Sequence, residues 1–315
     1  MNNEESPVIV GEGNYRYQWI NRWAVIPDTP GGRTNGRTHG VVVSKNGTVL
    51  VFHQANPALL VYDQSGKLLD SWGDRFAGAH GMTIVEEGNE EFLWLTDQTS
   101  GEVVKTTLKG KTILSLPKPP HAVYKKGTYS PTWVAVNEAW LGGNGDIWVA
   151  DGYGMSYLHR FSADGRYISS TNGGSGDMKF NCPHGIMFSN RHGTPELYVA
   201  DRGNSRFQVL DPDGNILRTI RNDLTLPCGS IPVDDHLIVP QLDARVTILD
   251  ASDRFVCHLG NNKPTCDIEG WPNHPPHLIV PGLFNSPHAA AADSDGNLYV
   301  VEWIIGGRIT KLKKL

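Results

Sequence analysis

The chain has 315 residues, with 28 Lys and Arg against 33 Asp and Glu, which gives a formal net charge of −5. Hydrophobic residues make up 39% and charged residues 19%, so the composition excludes a disordered chain and a charged coiled coil. The acidic balance also argues against a protein that binds nucleic acid through net positive charge.

The beginning of the chain shows no targeting signal. Residues 1–5 are polar and acidic, whereas a signal peptide starts with a basic region and continues with an apolar one. No run approaches the ~18 consecutive apolar residues that a membrane span needs. We therefore expect a cytoplasmic protein without membrane contact. No linker divides the sequence, so we predict a single domain over residues 1–315, with residues 1–14 as a flexible N-terminal tail.

After this tail comes a lone strand, Tyr15–Ile20, and then one unit that recurs six times. Each copy contains an apolar strand, a turn, and a second β-rich strand that ends in polar residues. The second strands are, in chain order, TVLVFHQ (48–54), FLWLTDQ (92–98), DIWVADG (146–152), ELYVADR (196–202), HLIVPQL (236–242) and NLYVVEW (297–303).

Helical periodicity is nearly absent, so this pattern predicts an all-β fold of six small antiparallel sheets. The last copy supplies only three strands and ends at Arg308–Leu312. The lone N-terminal strand can complete that sheet, and we therefore predict a six-bladed β-propeller closed by an N-terminal strand. An open β-solenoid is the alternative, and it would need no such strand.

In a propeller the innermost strand of each blade runs beside the central channel. The residues at its first position are His39, His80, Thr132, His184, Cys228 and His288. Three of these, His80, His184 and His288, lie on alternate blades, which are about 120° apart in a six-fold ring. Three imidazoles aimed at one axial point form a typical site for a catalytic divalent metal ion. The alternative is that each histidine only bonds a neighbouring carbonyl.

Other residues near this mouth have several interpretations. His39 and Cys228 occupy the equivalent position on two further blades. Each is interpreted as a fourth ligand, a proton carrier or an inert residue that lines the channel. Tyr153 is expected to project over the same mouth, where a cation would lower the pKa of its phenol and make it a general base. Arg202 is predicted either to hold a substrate carboxylate or to form an ion pair between blades.

The polar residues at the ends of the six second strands are expected to form a second ring around the channel. We expect the repeated Asp97, Asp151 and Asp201 to be structural and to orient either turns or histidines of the site. The polar and aromatic residues at the other strand ends are candidates for binding substrate, and these are His53, Gln54 and Trp303.

Several of these segments resemble the lyase domain of the peptidylglycine amidating enzymes, a six-bladed propeller of NHL-type repeats. That family cleaves peptidyl-α-hydroxyglycine into a peptide amide and glyoxylate. The resemblance runs from about residue 37 to the end and is carried by Phe52-His53, Pro131–Val136, Val149–Tyr153, Pro183–Gly185, Val199–Arg206 and Pro287-His288. It implies that His80, His184 and His288 bind zinc and that Tyr153 is catalytic.

Two positions depart from the family's pattern. Gln54 stands where the family has a functional arginine, and Ala289 stands where it has an aspartate associated with calcium. The resemblance therefore implies a retained metal site with an altered substrate.

Together these observations predict a divalent-metal-dependent lyase that acts on a small molecule and binds neither nucleic acid nor membrane. The cofactor is one divalent metal ion, Zn²⁺ in the first place and Mn²⁺, Fe²⁺ or Ni²⁺ otherwise. Tyr153 or His39 would move the proton as a C–N or C–O bond breaks. Candidate substrates are α-hydroxyglycine-like hemiaminals or oxidised sugar derivatives. The alternatives are a metal-dependent lactonase on the same fold and a non-catalytic NHL interaction scaffold.

Overall fold

A computed structural model describes residues 6–315, and within this range short strands form six antiparallel sheets. The chain starts with strands β1 (Ile9–Val10) and β2 (Tyr17–Ile20) and the short helix α1 (Pro30–Thr34). Blade one contains β3 (Thr38–Val43), β4 (Val49–His53), β5 (Leu59–Tyr62) and β6 (Leu68–Trp72). Blade two contains β7 (Ala79–Glu87), β8 (Glu90–Asp97), β9 (Val103–Thr107) and β10 (Thr112–Ser115).

The remaining blades follow the same order along the chain. Blade three contains β11 (Trp133–Val136), β12 (Ile147–Asp151), β13 (Tyr157–Phe161) and β14 (Tyr167–Thr171). Blade four contains β15 (Pro183–Ser189), β16 (Glu196–Asp201), β17 (Arg206–Leu210) and β18 (Ile216–Ile220). Blade five contains β19 (Ile231–Val233), β20 (His236–Gln241), β21 (Arg245–Leu249) and β22 (Phe255–Leu259). Blade six starts with β23 (Pro287–Ala292), β24 (Leu298–Glu302) and β25 (Arg308–Lys314).

Blade six is completed from the other end of the chain, as the sequence predicted. Strand β2 pairs antiparallel with β25, with Trp19 opposite Leu312, and β1 adds a fifth strand beyond β2. The protein is therefore a six-bladed β-propeller whose last blade joins its N- and C-terminal strands.

The predicted flexible tail needs a correction. Residues 1–5 lie outside the described residues, but Ile9 and Val10 pair with Gln18 and Tyr17. The side chain of Val10 is buried in the apolar cluster between blades five and six. This part of the tail is therefore held by strand pairing and apolar burial.

The core consists of apolar clusters that each lie between two neighbouring blades. Strands such as β4 and β12 are buried at every position, because blades pack against both of their faces. Tight turns connect the strands, and Gly47 and Gly214 provide the positive φ that their turns require, at 81° and 93°.

Six short 3₁₀ helices in the described residues lie in the connections, at Ala122–Lys125, Ala139–Leu141, Gly176–Met178, Arg202–Asn204, Lys263–Asp267 and Pro276–Leu278. Among residues 6–315, no helix combines the length and the apolar character needed to cross a membrane. All four cysteines are free thiols.

Candidate metal centre

Each axial histidine lies at an irregularity in the pairing of an inner strand with its neighbour. In blade one the register passes from Thr38 opposite His53 to Gly40 opposite Phe52, so His39 is left without a partner residue. The same kind of shift contains His80, His184 and His288 in blades two, four and six. A β-bulge redirects a side chain. These bulges therefore turn the imidazoles out of the pleat and towards the axis.

The four imidazoles meet in one buried cluster, and none of the residues is more than 1% exposed. The ring centroids of His80 and His184, and of His184 and His288, are 4.8 Å apart, and those of His80 and His288 are 5.0 Å apart. His39 lies 4.5 Å from His288 and 4.8 Å from His80. The structure thus brings the three predicted ligands and His39 together at one point, and their role as metal ligands stays a prediction.

Two overlapping groups of potential ligand atoms lie within 4.8 Å of one another. His39, His80 and His288 form one group, and His184, Cys228 and His288 form the other. His288 is common to both groups. The cluster could hold a metal ion, and it offers His39 and Cys228 as donors beyond the three predicted ligands.

One hydrogen-bond pattern orients the three predicted ligands. Each ring bonds through Nδ1 to the backbone carbonyl of the axial residue in the next blade: His80 to Thr132 (2.8 Å), His184 to Cys228 (2.6 Å) and His288 to His39 (2.8 Å). Because a carbonyl oxygen only accepts, Nδ1 must carry the proton in each ring. This fixes the tautomer and directs the unprotonated Nε2 at the axis, as in metal-ligating histidines.

The glycines that follow two of these histidines make the pattern sterically possible. A Cβ at Gly81 would come closer than 3.0 Å to the carbonyl oxygen of Thr132, and one at Gly185 equally close to that of Cys228. These are the carbonyls that accept from His80 and His184. The repeated His-Gly pair therefore serves the close approach of neighbouring inner strands.

The Nε2 atoms at the axis have too few hydrogen-bond donors. His80 Nε2 and His184 Nε2 lie 3.2 and 3.1 Å from the hydroxyl of Tyr153, which has one hydrogen for two acceptors. His288 Nε2 is buried and has no hydrogen-bond partner. Buried acceptors without donors are costly, and a cation bound among them removes that cost. The donor set thus fits a divalent metal ion.

Tyr153 and Arg202 lie over this cluster at the mouth of the channel. The Arg202 guanidinium donates to the Tyr153 hydroxyl through Nη1 (3.1 Å), and its carbon stands 5.1 Å from the centroid of the Tyr153 ring. A second donor of Arg202, Nη2, reaches Cys182 Sγ at 3.4 Å. The side-chain partners of the Arg202 guanidinium in the described residues are therefore Tyr153 and Cys182, and neither is a carboxylate.

Burial controls the charge states at the centre. It lowers the pKa of His39 to about 3 and holds those of His80, His184 and His288 well below the usual value, so all four rings are neutral at pH 7. Neutral imidazole is the form that binds metal. Burial raises the pKa of Tyr153 to about 12, while Arg202 acts in the opposite direction. The predicted lowering of the Tyr153 pKa concerned the protein with a cation bound.

Cys228 is a less suitable donor in the protein by itself. Its side chain is fully buried, and burial raises the pKa of the thiol to about 11. Only the thiolate binds a metal ion strongly.

Trp133 lies just behind the histidines, with its ring centroid 6.3 Å from those of both His80 and His184. Beyond it the channel continues as an apolar cavity of about 280 Å³, lined by side chains such as Val41, Met82 and Ile186.

The repeated carboxylates hold turns, as the sequence predicted. Asp97 accepts from the backbone N–H of Gly78, Asp151 from that of Ser130 and Asp201 from that of Asn181. Glu302 does the same for Asn285 and Ser286 in blade six. All four of these carboxylates are at most 1% exposed, and their oxygens are already used by the fold.

The three predicted substrate-binding residues lie on blades one and six. His53 is buried, and its Nε2 bonds the carbonyl of Pro57 at 2.7 Å. Gln54 bonds the amide of Asn35 at 3.1 Å, and its backbone N–H donates to the carbonyl of Arg37. Trp303 lies under the Arg37 guanidinium, 5.1 Å from the ring centroid to the guanidinium carbon. Their role in binding substrate stays a prediction.

Arg37 is a residue that the sequence analysis missed. It precedes His39 by two residues, and the His39 Nδ1 bonds its carbonyl at 3.1 Å. Arg37 lies outside the aligned repeats, so comparing the repeats could not identify it. The sequence feature that could have drawn attention to it is a cationic residue two positions before an axial histidine.

Comparison with known proteins gives two groups of relatives, although no protein-family model matches the chain. NHL repeat-containing protein 3 of Mus musculus is 31% identical over 229 residues, which are 68% of this chain and 65% of that protein. A Caenorhabditis elegans protein named as a probable peptidyl-α-hydroxyglycine α-amidating lyase is 29% identical over 302 residues, 84% of this chain and 79% of that protein. The chain thus spans just under two thirds of the length of the first relative.

The homologues are therefore NHL repeat-containing proteins and amidating lyases, as the sequence motifs predicted. Among solved structures, a gluconolactonase of Xanthomonas campestris matches with a TM-score of 0.64 and 11% identity, over 98% of this chain and 95% of that chain. A likeness at this identity shows the fold alone.

Proposed function

We propose that this protein is a lyase that depends on a divalent metal ion and breaks a C–N or C–O bond in a small molecule. The observation that carries the proposal is the shared orientation of three buried imidazoles. Each donates Nδ1–H to the next blade's carbonyl and leaves an unprotonated Nε2 at the axis. An arrangement with only structural purpose would not need three buried acceptors around the single hydroxyl hydrogen of Tyr153, with His288 Nε2 left unpartnered.

His80, His184 and His288 would hold the ion. Zn²⁺ is the first candidate, because three imidazoles with an open position suit it, and Mn²⁺, Fe²⁺ and Ni²⁺ follow. When bound, the ion supplies Lewis-acid chemistry to a hydroxyl, carbonyl or carboxylate oxygen of the substrate.

The chain's own residues would handle the proton and the substrate's charge. As a hemiaminal breaks, its hydroxyl loses a proton, a C=O bond forms, the C–N bond cleaves and the leaving nitrogen gains a proton. Tyr153 would move this proton at its hydroxyl oxygen, which lies against His80 and His184. Alternatively His39 would move it at Nε2, since its ring lies against those of His80 and His288. Arg202, which has no carboxylate partner in residues 6–315, would bind a substrate carboxylate.

The substrate class follows from the relatives and from the residues around the mouth. The amidating lyases among the homologues support an α-hydroxyglycine-like hemiaminal. Gln54, bonded to Asn35, and Ala289, buried in an inner strand, favour a substrate different from the one those relatives are named for.

The geometry favours this lyase over a lactonase that uses calcium. Calcium sites need several carboxylate or carbonyl oxygens. The nearest ring of carboxylates, including Asp97, Asp151 and Asp201, is occupied by backbone N–H groups of turns. A nitrogen-rich centre favours a transition metal ion or zinc instead.

Elemental analysis of the purified protein is the first test, reported as metal per chain before and after treatment with a chelator. We expect about one equivalent of transition metal or zinc. His184→Ala should lose the metal and keep the fold, and His277→Ala is the matched control because that histidine is exposed in the short 3₁₀ helix Pro276–Leu278.

Activity is then measured as glyoxylate released from N-acyl-α-hydroxyglycines and related hemiaminals. Release that requires the metal and is lost in His184→Ala supports the lyase. A protein that takes up no metal, or a His184→Ala variant that keeps stoichiometric metal, contradicts the proposed site. A metal-free protein would leave the interaction scaffold as the better interpretation.

A further inference from the structure

Two arginines at the mouth lack the carboxylate partners that the other buried arginines have. Arg206, Arg308 and Arg191, with side chains at most 5% exposed, each pair with an Asp or Glu. Within residues 6–315, Arg37 and Arg202 form no such pair, although both are partly buried. A half-buried guanidinium loses part of its hydration, and without an anion beside it no ion pair offsets that free-energy cost. Their surroundings therefore point to an anionic ligand.

The fold holds the Arg37 guanidinium in place without neutralising it. Its Nη1 donates to Asn35 Oδ1 at 2.7 Å, and its face lies on Trp303. Its Nε is buried without a hydrogen-bond partner, and burial lowers the pKa of the group. Stacking and one amide contact fix the plane of the fork and leave donors free for a carboxylate.

The two arginines approach the centre from opposite sides. Arg37 directly precedes β3, the inner strand of blade one, and Arg202 directly follows β16 of blade four. In a six-bladed ring these blades face each other across the axis. The histidine cluster lies between them. His39 bonds the Arg37 carbonyl on one side, and on the other Arg202 bonds Tyr153, whose hydroxyl lies against His80 and His184. One carboxylate bound at Arg202 therefore leaves the Arg37 side of the mouth still uncompensated.

We propose that Arg37 binds a second acidic group of the substrate, so that the substrate is a small dianion held by Arg37 at one end and by Arg202 at the other. Its reacting carbon then lies between the two ends, over the three histidines. This inference names the substrate class of the proposed function. The position of the reacting carbon rests on that proposed function, whereas the double negative charge of the ligand does not.

Calorimetric titration with simple carboxylates tests the inference on the purified protein. The probes are dicarboxylates from malonate to adipate, and each is compared with its half-amide, which has nearly the same shape and one charge fewer. We expect one chain length to bind at least ~10-fold more tightly than its half-amide, because a second charge-assisted pair forms.

Arg37→Gln should remove this preference. The dicarboxylate should then bind as weakly as the half-amide, while binding of the half-amide changes less than ~3-fold. Arg37→Lys keeps the charge and should retain part of the preference, which keeps the test decisive if the glutamine variant folds poorly. Arg16→Gln, at an exposed arginine far from the mouth, is the matched control and should bind like the wild type.

The results separate this inference from the proposed function. Equal binding of dicarboxylates and half-amides at every length, or an unchanged preference in Arg37→Gln, overturns the inference even if metal and lyase activity are present. A preference that depends on Arg37 in a protein without metal supports the inference and contradicts the lyase.

Discussion

The close approach of the inner strands of blades four and five can be tested by adding a single methyl group. Gly185→Ala would place a Cβ closer than 3.0 Å to the carbonyl oxygen of Cys228, which also accepts from His184 Nδ1. In contrast, the nearest atom to a Cβ at Gly229 is 3.6 Å away, which is an ordinary contact. Neither glycine has a positive φ, so Gly229→Ala is a matched control on the facing segment, which leads into β19.

The expected cost of Gly185→Ala follows from this geometry. Restoring an ordinary contact moves the two strands apart by about 1 Å, which stretches the 2.6 Å bond from His184 to Cys228 beyond hydrogen-bonding distance. Overpacking costs about 1–3 kcal/mol, and an unsatisfied buried polar group costs about 1–3 kcal/mol more. Because a chain of this size has an unfolding entropy of ~0.66 kcal/mol/K, we expect the Tm to fall by about 3–9 °C.

Metal affinity should fall along with stability. The His184 ring loses the carbonyl that fixes its tautomer, and loss of such a partner lowers metal affinity by about 10–100-fold. Differential scanning calorimetry of the chelator-treated protein measures the first effect, and competition with a zinc indicator measures the second. If Gly185→Ala and Gly229→Ala have the same Tm and the same zinc affinity, the reasoning about the His-Gly pair is wrong.

Three further changes probe the fold and the mouth. Burial lowers the pKa of His159 to about 3, so between pH 6.5 and 5 the unfolded chain binds a proton at this histidine and the folded chain does not. Over this pH range the free energy of unfolding of the wild type should therefore fall by about 2 kcal/mol more than that of His159→Gln, as measured by urea titration. Arg206→Met leaves the buried Asp201 carboxylate without its cation and should cost about 3–5 kcal/mol in the same assay, and adding Asp201→Asn should recover part of it. Tyr153→Phe should keep the metal and lose at least ~100-fold in kcat for hemiaminal cleavage, and an unchanged kcat would remove Tyr153 from the proton transfer.

The fold and the axial histidines were predictable because both follow from one repeated register. The six second strands set the blade spacing, and in blades two, four and six the apolar strand before the second strand starts next to the axial position, which locates His80, His184 and His288. Polar strand ends such as Asp151 and Asp201 were also assigned to turns correctly. Six copies of one repeat locate the axial position six times independently, whereas a single motif would locate it only once.

Other features depend on contacts between residues that are far apart in sequence. The bond from His184 to the Cys228 carbonyl spans 44 residues and involves a backbone atom, so no side-chain pattern encodes it. Arg37 lies before its repeat begins, and its importance comes from Trp303 at the other end of the chain. Ile9 and Val10 look like a tail because a strand of two residues is too short to show an alternating pattern.

The histidine ring also links the metal centre to closure of the propeller. The bond from His80 to Thr132 joins neighbouring blades 52 residues apart, whereas the bond from His288 to His39 joins the last blade to the first, 249 residues apart. The three Nε2 atoms therefore meet only when the last blade packs against the first and the ring is closed. A ligand that binds the native state alone stabilises it by mass action. An ion at the axis would thus stabilise the closed ring as a whole, although it contacts only three of the six blades.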